Sequence, residues 1–215
     1  MTKRELRKRT KQGQVLEHAR NLIEENGASN LTMATLAKRM NASVGGLYRY
    51  YPSKESIYTA LQRQSLDALR LQIESTHSDA SAGGTLDWSL IPALFDSWTT
   101  FEQNDPLSAL MLNQFTDTQQ PVLELGQRTE IGTEILKIIN VLAQSIDTLA
   151  SNNCLNHGNA HIRALQLWGL IFGFEQLKRR QTRNIASLPI AEVRDAYLAD
   201  LRRAWSSDSS RVTDD

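Results

Sequence analysis

Tyr48, Arg49, Tyr50 and Lys54 lie within one stretch, residues 41–58, NASVGGLYRYYPSKESIY. Phenolic hydroxyls and an ammonium suit phosphate oxygens, and a guanidinium can bond a phosphate or take guanine in a fork. Lys54 stands where a helix would begin, and free backbone N–H groups there already favour an anion. Ser43, Val44 and Gly45 precede this group, and Gly45 and Gly46 surround the start of a short segment whose one buried-type residue is Leu47. Two glycines in so short a helix cost about 1 kcal/mol each relative to alanine. A backbone that must approach another surface closely repays that cost. A short polar and aromatic helix on a helical scaffold is how side chains enter the DNA major groove. Taken singly, tyrosines at such spacing pack more often than they bind; the ordered set carries the reading.

The elements that must hold this stretch are legible in the apolar spacing. Val15, Leu16, Ala19, Leu22 and Ile23 mark a helix from about Lys11 to Asn26, stopped by Asn26-Gly27. Thr32 can cap a second helix bearing Met33, Leu36, Ala37 and Met40. Asn41 falls where the chain turns sharply, and asparagine tolerates the left-handed conformation. Ser43 can cap a third helix, which must end before Pro52. Ser53 can cap a fourth, with Ile57, Leu61, Leu69 and Ile73 on its stripe. Lys3, Arg4, Arg7, Lys8, Arg9 and Lys11 form a basic arm, read as mobile over residues 1–13, able to follow the DNA backbone or reach a minor groove.

Charge is divided in the same way. The formal net charge is zero, yet residues 1–63 hold 12 Lys and Arg against 5 Asp and Glu, and the remainder holds 12 against 19. A basic first third and an acidic remainder imply that one part meets a polyanion. The one cysteine, Cys154, excludes an intramolecular disulfide. No apolar run follows the N-terminal charges, and the run from Leu167 to Phe174 is too short for a membrane span. The expectation is a cytoplasmic protein with no membrane partner.

Residues 31–58, LTMATLAKRMNASVGGLYRYYPSKESIY, resemble the tetracycline-repressor (TetR) family of bacterial transcription regulators. Thr32 matches the threonine that opens the second helix, and Leu36-Ala37 the aliphatic-alanine pair. Ser43, Gly45, Leu47-Tyr48, the aromatic pair Tyr50-Tyr51 and Ser53-Lys54-Glu55 follow in order. Asn41 stands where the family usually has glycine, and Tyr51 where it usually has phenylalanine. The resemblance implies a homodimer whose C-terminal domain binds a small molecule and thereby releases double-stranded DNA. Thr32, Ser43, Val44, Gly45, Tyr48, Arg49, Tyr50 and Lys54 are the DNA-binding candidates.

The expected fold is all-α: an N-terminal three-helix helix-turn-helix domain over residues 1–56, a helical ligand-binding and dimerisation bundle over 57–205, and a disordered tail over 206–215. A polar loop is expected at 76–87, then helices near 88–103, 106–116, 122–151, 160–180 and 189–205. Two of these are candidate dimer helices: 160–180, with Trp168, Gly169, Ile171, Phe172 and Gly173, and 189–205, with Val193, Tyr197, Leu201 and Trp205. A ligand pocket needs apolar walls and a few polar groups. Trp98, Phe101, Met111, Phe115, Trp168 and Phe172 can serve as walls or as plain core. Glu175 can meet a cationic or hydroxylated ligand, or pair with Arg179 four residues on. Cys154, His157 and His161 have a spacing that zinc or copper uses, but no fourth ligand is near, and neither a metal nor any cofactor is expected. An enzyme has no support: there is no nucleophile elbow, phosphate loop, HExxH or paired-acid motif. The third reading is a DNA-binding architectural or assembly protein without a ligand. The ligand's identity, the operator, the regulated genes and the choice of repression or activation are not encoded legibly.

Overall fold

A computed structural model describes residues 2–83, 86–113, 125–182 and 189–207. Helix α1 spans Lys3–Asn26 and buries Val15, Leu16, Ala19, Leu22 and Ile23, the stripe expected from spacing. It begins earlier than expected. The Thr2 hydroxyl accepts from the Glu5 N–H, and the Glu5 carboxylate accepts from the Thr2 N–H at 2.7 Å. This reciprocal cap, with Leu, Lys and Arg as good helix formers, turns the mobile arm expected over residues 1–13 into helix. Gly27, at φ 79°, ends α1 with its N–H on the Ile23 carbonyl.

Helix α2 (Met33–Arg39) is capped by Thr32, whose hydroxyl accepts from the Thr35 N–H. Asn41 turns the chain at φ 50°, the left-handed conformation expected of it. Ser43 caps α3 (Val44–Tyr48) through the Gly46 N–H at 3.1 Å. Ser53 takes the Ser56 N–H at 3.1 Å at the start of α4 (Lys54–Ala82). The loop expected at 76–87 is helical as far as Ala82. No glycine or proline interrupts the run before Gly83, and the Thr76 hydroxyl bonds both the Gln72 carbonyl and the Ser97 hydroxyl. Helices α5 (Leu90–Asn104), α6 (Pro106–Asn113), α7 (Leu125–Ser151), α8 (Ala160–Thr182) and α9 (Ile190–Trp205) complete the described chain. An isolated bridge, Leu155 to Ser206, is the extended pairing present.

The chain divides into two compact units, with the division falling within α4, α5 and α7. The first comprises residues up to Asp67 and the described part of Glu102–Glu134. Its core joins Val15, Leu16, Ala19, Leu31, Leu36, Leu47, Tyr51, Ile57 and Leu61 with Leu107 and Met111 of α6. The Arg20 guanidinium bonds the Asp105 carboxylate and the Ser108 hydroxyl, and the Ser108 N–H bonds Asp105 at 3.0 Å. The second unit holds the rest. It buries Leu69, Ile73, Leu94, Trp98, Ile138, Leu142, Ile146, Leu149, Leu167 and Ile171. Its C-terminal helix is tied by the Asn156 N–H on the Trp205 carbonyl at 2.8 Å and by Arg163 over the Trp205 ring.

Asp105 has one measurable consequence. Burial by itself raises its pKa, but the Ser108 N–H, the Ser108 hydroxyl and the Arg20 charge together hold it below the ordinary carboxylate value. A depressed carboxylate stabilises the fold above its unfolded value, near 3.9, and loses that contribution as pH falls through the folded value. The urea midpoint of the wild type should therefore fall as pH drops below about 4. In Asp105→Asn that fall should be shallower; an identical pH profile would show that the pair adds nothing.

Candidate nucleic-acid interface

Helix α3 is five residues long and too short to be stable alone. Its position comes from Leu47, only 2% exposed, and from Tyr51 just beyond its end, both in the core of the first unit. With Leu47 held inward, the opposite face is set. Val44 is 37% exposed and Tyr48 50%, with Gly45 and Arg49 also open to solvent. A Cβ at Gly45 would meet nothing within 4 Å. The glycine is thus not required by packing within the chain. At Gly46 a Cβ would lie 3.1 Å from the Ser43 hydroxyl, so the cap itself limits the residue there.

The remaining candidates fall into separate roles. The Thr32 and Ser43 hydroxyls are exposed but engaged as helix caps. Tyr50 is half-buried against the core, and its carbonyl accepts from the Gln12 side chain at 3.3 Å. Lys54 opens α4, half-buried beside the Ser53 cap. Arg39 is occupied elsewhere. It forks onto Glu25 with both bonds at 2.6 Å and so holds that carboxyl below its ordinary range.

Two features were not read from the residues. Gln12 joins α1 to the end of α3, and no local pattern signals that contact. The N-terminal turns of α1 share an open cleft of about 720 Å³ with Arg49 and Tyr50. The Thr2–Glu5 capping box was the signal for those turns.

In the second unit, Trp98 and Phe101 are buried and stack edge-on with centroids 5.9 Å apart. Trp98 meets Phe172 at 5.3 Å, and Trp168 meets Phe172 at 4.6 Å. The indole N–H of Trp98 is buried and has no hydrogen-bond partner among the described residues. Glu175 is buried and accepts from the Lys178 ammonium at 3.0 Å, three residues on. Met111 is not with this group: it lies in the core of the first unit beside Leu47 and Ile57. Phe115 lies outside the described residues. Cys154 donates to the Leu86 carbonyl at 3.2 Å, and among the described residues no three His, Cys, Asp or Glu side chains are placed to hold a metal. No helix among them is long and apolar enough to cross a membrane.

A capped helix, a left-handed turn and a short exposed helix anchored by one leucine define a helix-turn-helix DNA-binding unit. Residues 15–61 match the family model "Bacterial regulatory proteins, tetR family". The match covers that segment, and the chain shares its all-α fold with solved TetR-family transcriptional regulators. The chain is similar to FadR from Bacillus subtilis, solved in complex with stearoyl-CoA, at 16% identity and TM-score 0.62, covering 88% of this chain and 96% of that one. It is similar to AibR, solved with isovaleryl coenzyme A and operator DNA, at 15% identity and TM-score 0.58, covering 88% and 96%. It is also similar to the TetR-family regulator PfmR from Thermus thermophilus, at 16% identity and TM-score 0.57, covering 87% and 96%. A comparison with curated proteins finds no match.

The open space at Gly45 yields a sharp expectation. Gly45→Leu should leave the thermal midpoint within a few degrees of the wild type, yet weaken DNA binding more than about tenfold, or 1.4 kcal/mol. Fluorescence anisotropy against a duplex selected by the wild type, alongside a melting curve, reads both. Retained affinity would turn this face away from DNA.

Proposed function

We propose that the protein is a ligand-responsive transcriptional regulator, acting as a repressor. It binds a near-palindromic operator as a homodimer and is released by a small molecule. The observation that carries this reading is the outward face of α3, with Val44, Gly45 and Tyr48 exposed over a buried Leu47. In this reading Val44, Gly45 and Tyr48 enter the major groove. Lys54 and the N-terminal end of α4 take a phosphate, and the Thr32 and Ser43 caps present the first turns of α2 and α3 to the backbone. The reading places the DNA-binding domain over residues 1–56, the ligand and dimer domain over 57–205, and the protein in the cytoplasm.

The dimer reading rests on α8. Ile162 and Leu165 are 56% and 55% exposed, and Gly169 and Gly173 are exposed at spacings of four along the same helix. Large apolar groups beside glycines suit close helix approach across a two-fold axis. Ile171 on α8 and Leu201 and Trp205 on α9, named above as candidate dimer residues, are instead buried within their own unit. For the ligand, Trp98, Phe101, Trp168 and Phe172 supply apolar walls, and Glu175 with its Lys178 partner supplies charge. The acyl-CoA complexes of FadR and AibR support an acyl thioester as the first class to try.

Release needs a ligand that prefers a conformation in which the two α3 helices are wrongly spaced. Helix α4, continuous from Lys54 to Ala82, is the link proposed. Selection from random duplexes should return a near-palindrome with half-sites about 34–36 Å apart, or a multiple of that. Linkage then requires operator DNA to weaken ligand binding by the factor by which ligand weakens DNA binding. Titration of an acyl-CoA series with and without operator tests this. Equal affinities across the whole series would overturn acyl-CoA-driven release and favour an architectural role.

A further inference from the structure

The first three turns of α1 extend beyond the core, since Val15 is the first residue on that helix to be buried. The stripe that buries Val15, Ala19 and Leu22 continues N-terminally at the same spacing through Lys11, Lys8 and Arg4. One face of α1 therefore changes from apolar to cationic where the core ends. Arg4, Arg7, Lys8 and Lys11 line an open cleft of about 720 Å³, closed on its other side by Arg49 and Tyr50. No acidic side chain lines it. The one carboxylate on this part of the helix, Glu5, is spent on the Thr2 cap. Among the described residues, none of Arg4, Arg7, Lys8, Lys11 and Arg49 pairs with a carboxylate. Gln12 holds this helix to the end of α3 through the Tyr50 carbonyl at 3.3 Å.

Such a concentration of uncompensated cations needs an anion of matching extent. Arg4 to Lys11 spans about 10 Å of helix, and one DNA strand presents a phosphate every 3.4 Å or so of axial rise. The row fits a run of about three phosphates better than one small anion. We propose that the N-terminal turns of α1 and Arg49 together clamp the sugar-phosphate backbone of the operator. In this arrangement Arg49 grips a phosphate from the cleft and does not read guanine. The helix lengthens the footprint beyond α3 without adding base specificity. This rests on the DNA-binding reading above and assigns a distinct part of the affinity to a distinct element.

The test uses the full-length chain with Arg4→Gln, Arg7→Gln and Lys8→Gln combined, because glutamine keeps helix propensity while removing charge. Binding to the selected operator and to a mixed-sequence duplex is measured across a salt series. The slope of log K against log salt should flatten by roughly 0.9 per lost contact, so by about 5.4 for the six contacts that three substitutions remove from a homodimer. Affinity for both duplexes should fall by the same factor, leaving their ratio unchanged. Arg49→Gln, which removes two contacts from a homodimer, should flatten the slope by about 1.8 and leave the selected sequence as it was. An unchanged slope, or a loss confined to the operator, overturns the clamp. A guanine preference that disappears with Arg49→Gln overturns its assignment to phosphate. If the wild type selects an operator and the triple variant keeps the wild-type slope, the clamp fails alone. If the wild type binds no duplex, the regulator reading fails with it.

Discussion

The burial of Leu47 is the contact on which the outward face of α3 depends. A five-residue helix makes too few internal hydrogen bonds to hold a position. Leu47 inserts into a core built from α1, α2, the start of α4 and α6, and Tyr51 adds a buried ring two residues past the Arg49 cap. Caps and turn then leave little freedom: Ser43 holds one end, and Asn41 at φ 50° sets the entry. Because one face of so short a helix is fixed, its opposite face is fixed as well. The exposure of Val44, Gly45 and Tyr48 is thus a product of packing on the other side.

Electrostatics in the first unit are organised by which charges are already paired. Glu25 is taken by Arg39 and Asp105 by Arg20, while Arg63 meets Glu130 and Glu134. These pairs occupy acidic groups, while Arg4, Arg7, Lys8, Lys11 and Arg49 have no carboxylate partner among the described residues. A surface of this kind is attractive to phosphate at long range and loses that attraction as salt rises. Pairing elsewhere therefore sharpens the field where α3 is exposed.

The second unit is arranged differently. It holds a chain of rings, from the half-buried Trp168 and Phe172 to the buried Trp98 and Phe101, with Phe95 and Phe174 in contact with each other. Rings supply large apolar area with defined edges, and the buried indole N–H of Trp98 lacks a hydrogen-bond partner among the described residues. The buried Glu175 accepts from Lys178, which also reaches the Thr99 hydroxyl at 3.4 Å.

The sequence alone determined the helices and the motif. Apolar spacing set α1, the start of α4 and α7, and the capping residues Thr32, Ser43 and Ser53 acted as expected, because a cap is a bond between residues three apart. The left-handed Asn41 was legible for the same local reason. The helical state of residues 3–10 was equally local, in the Thr2–Glu5 box, but was masked by the density of charge. What tertiary structure decided is which residues from distant segments meet. It sent Met111 to the core beneath α3 and gathered Trp98 and Phe172 into one cluster. It also buried Leu201 and Trp205 while leaving Ile162 and Leu165 exposed. Periodicity shows that a helix has an apolar stripe, but the stripe of a core helix and that of an interface helix look the same. The cleft between α1 and Arg49 belongs to this second class, since its two sides are about forty residues apart and only the fold faces them towards each other.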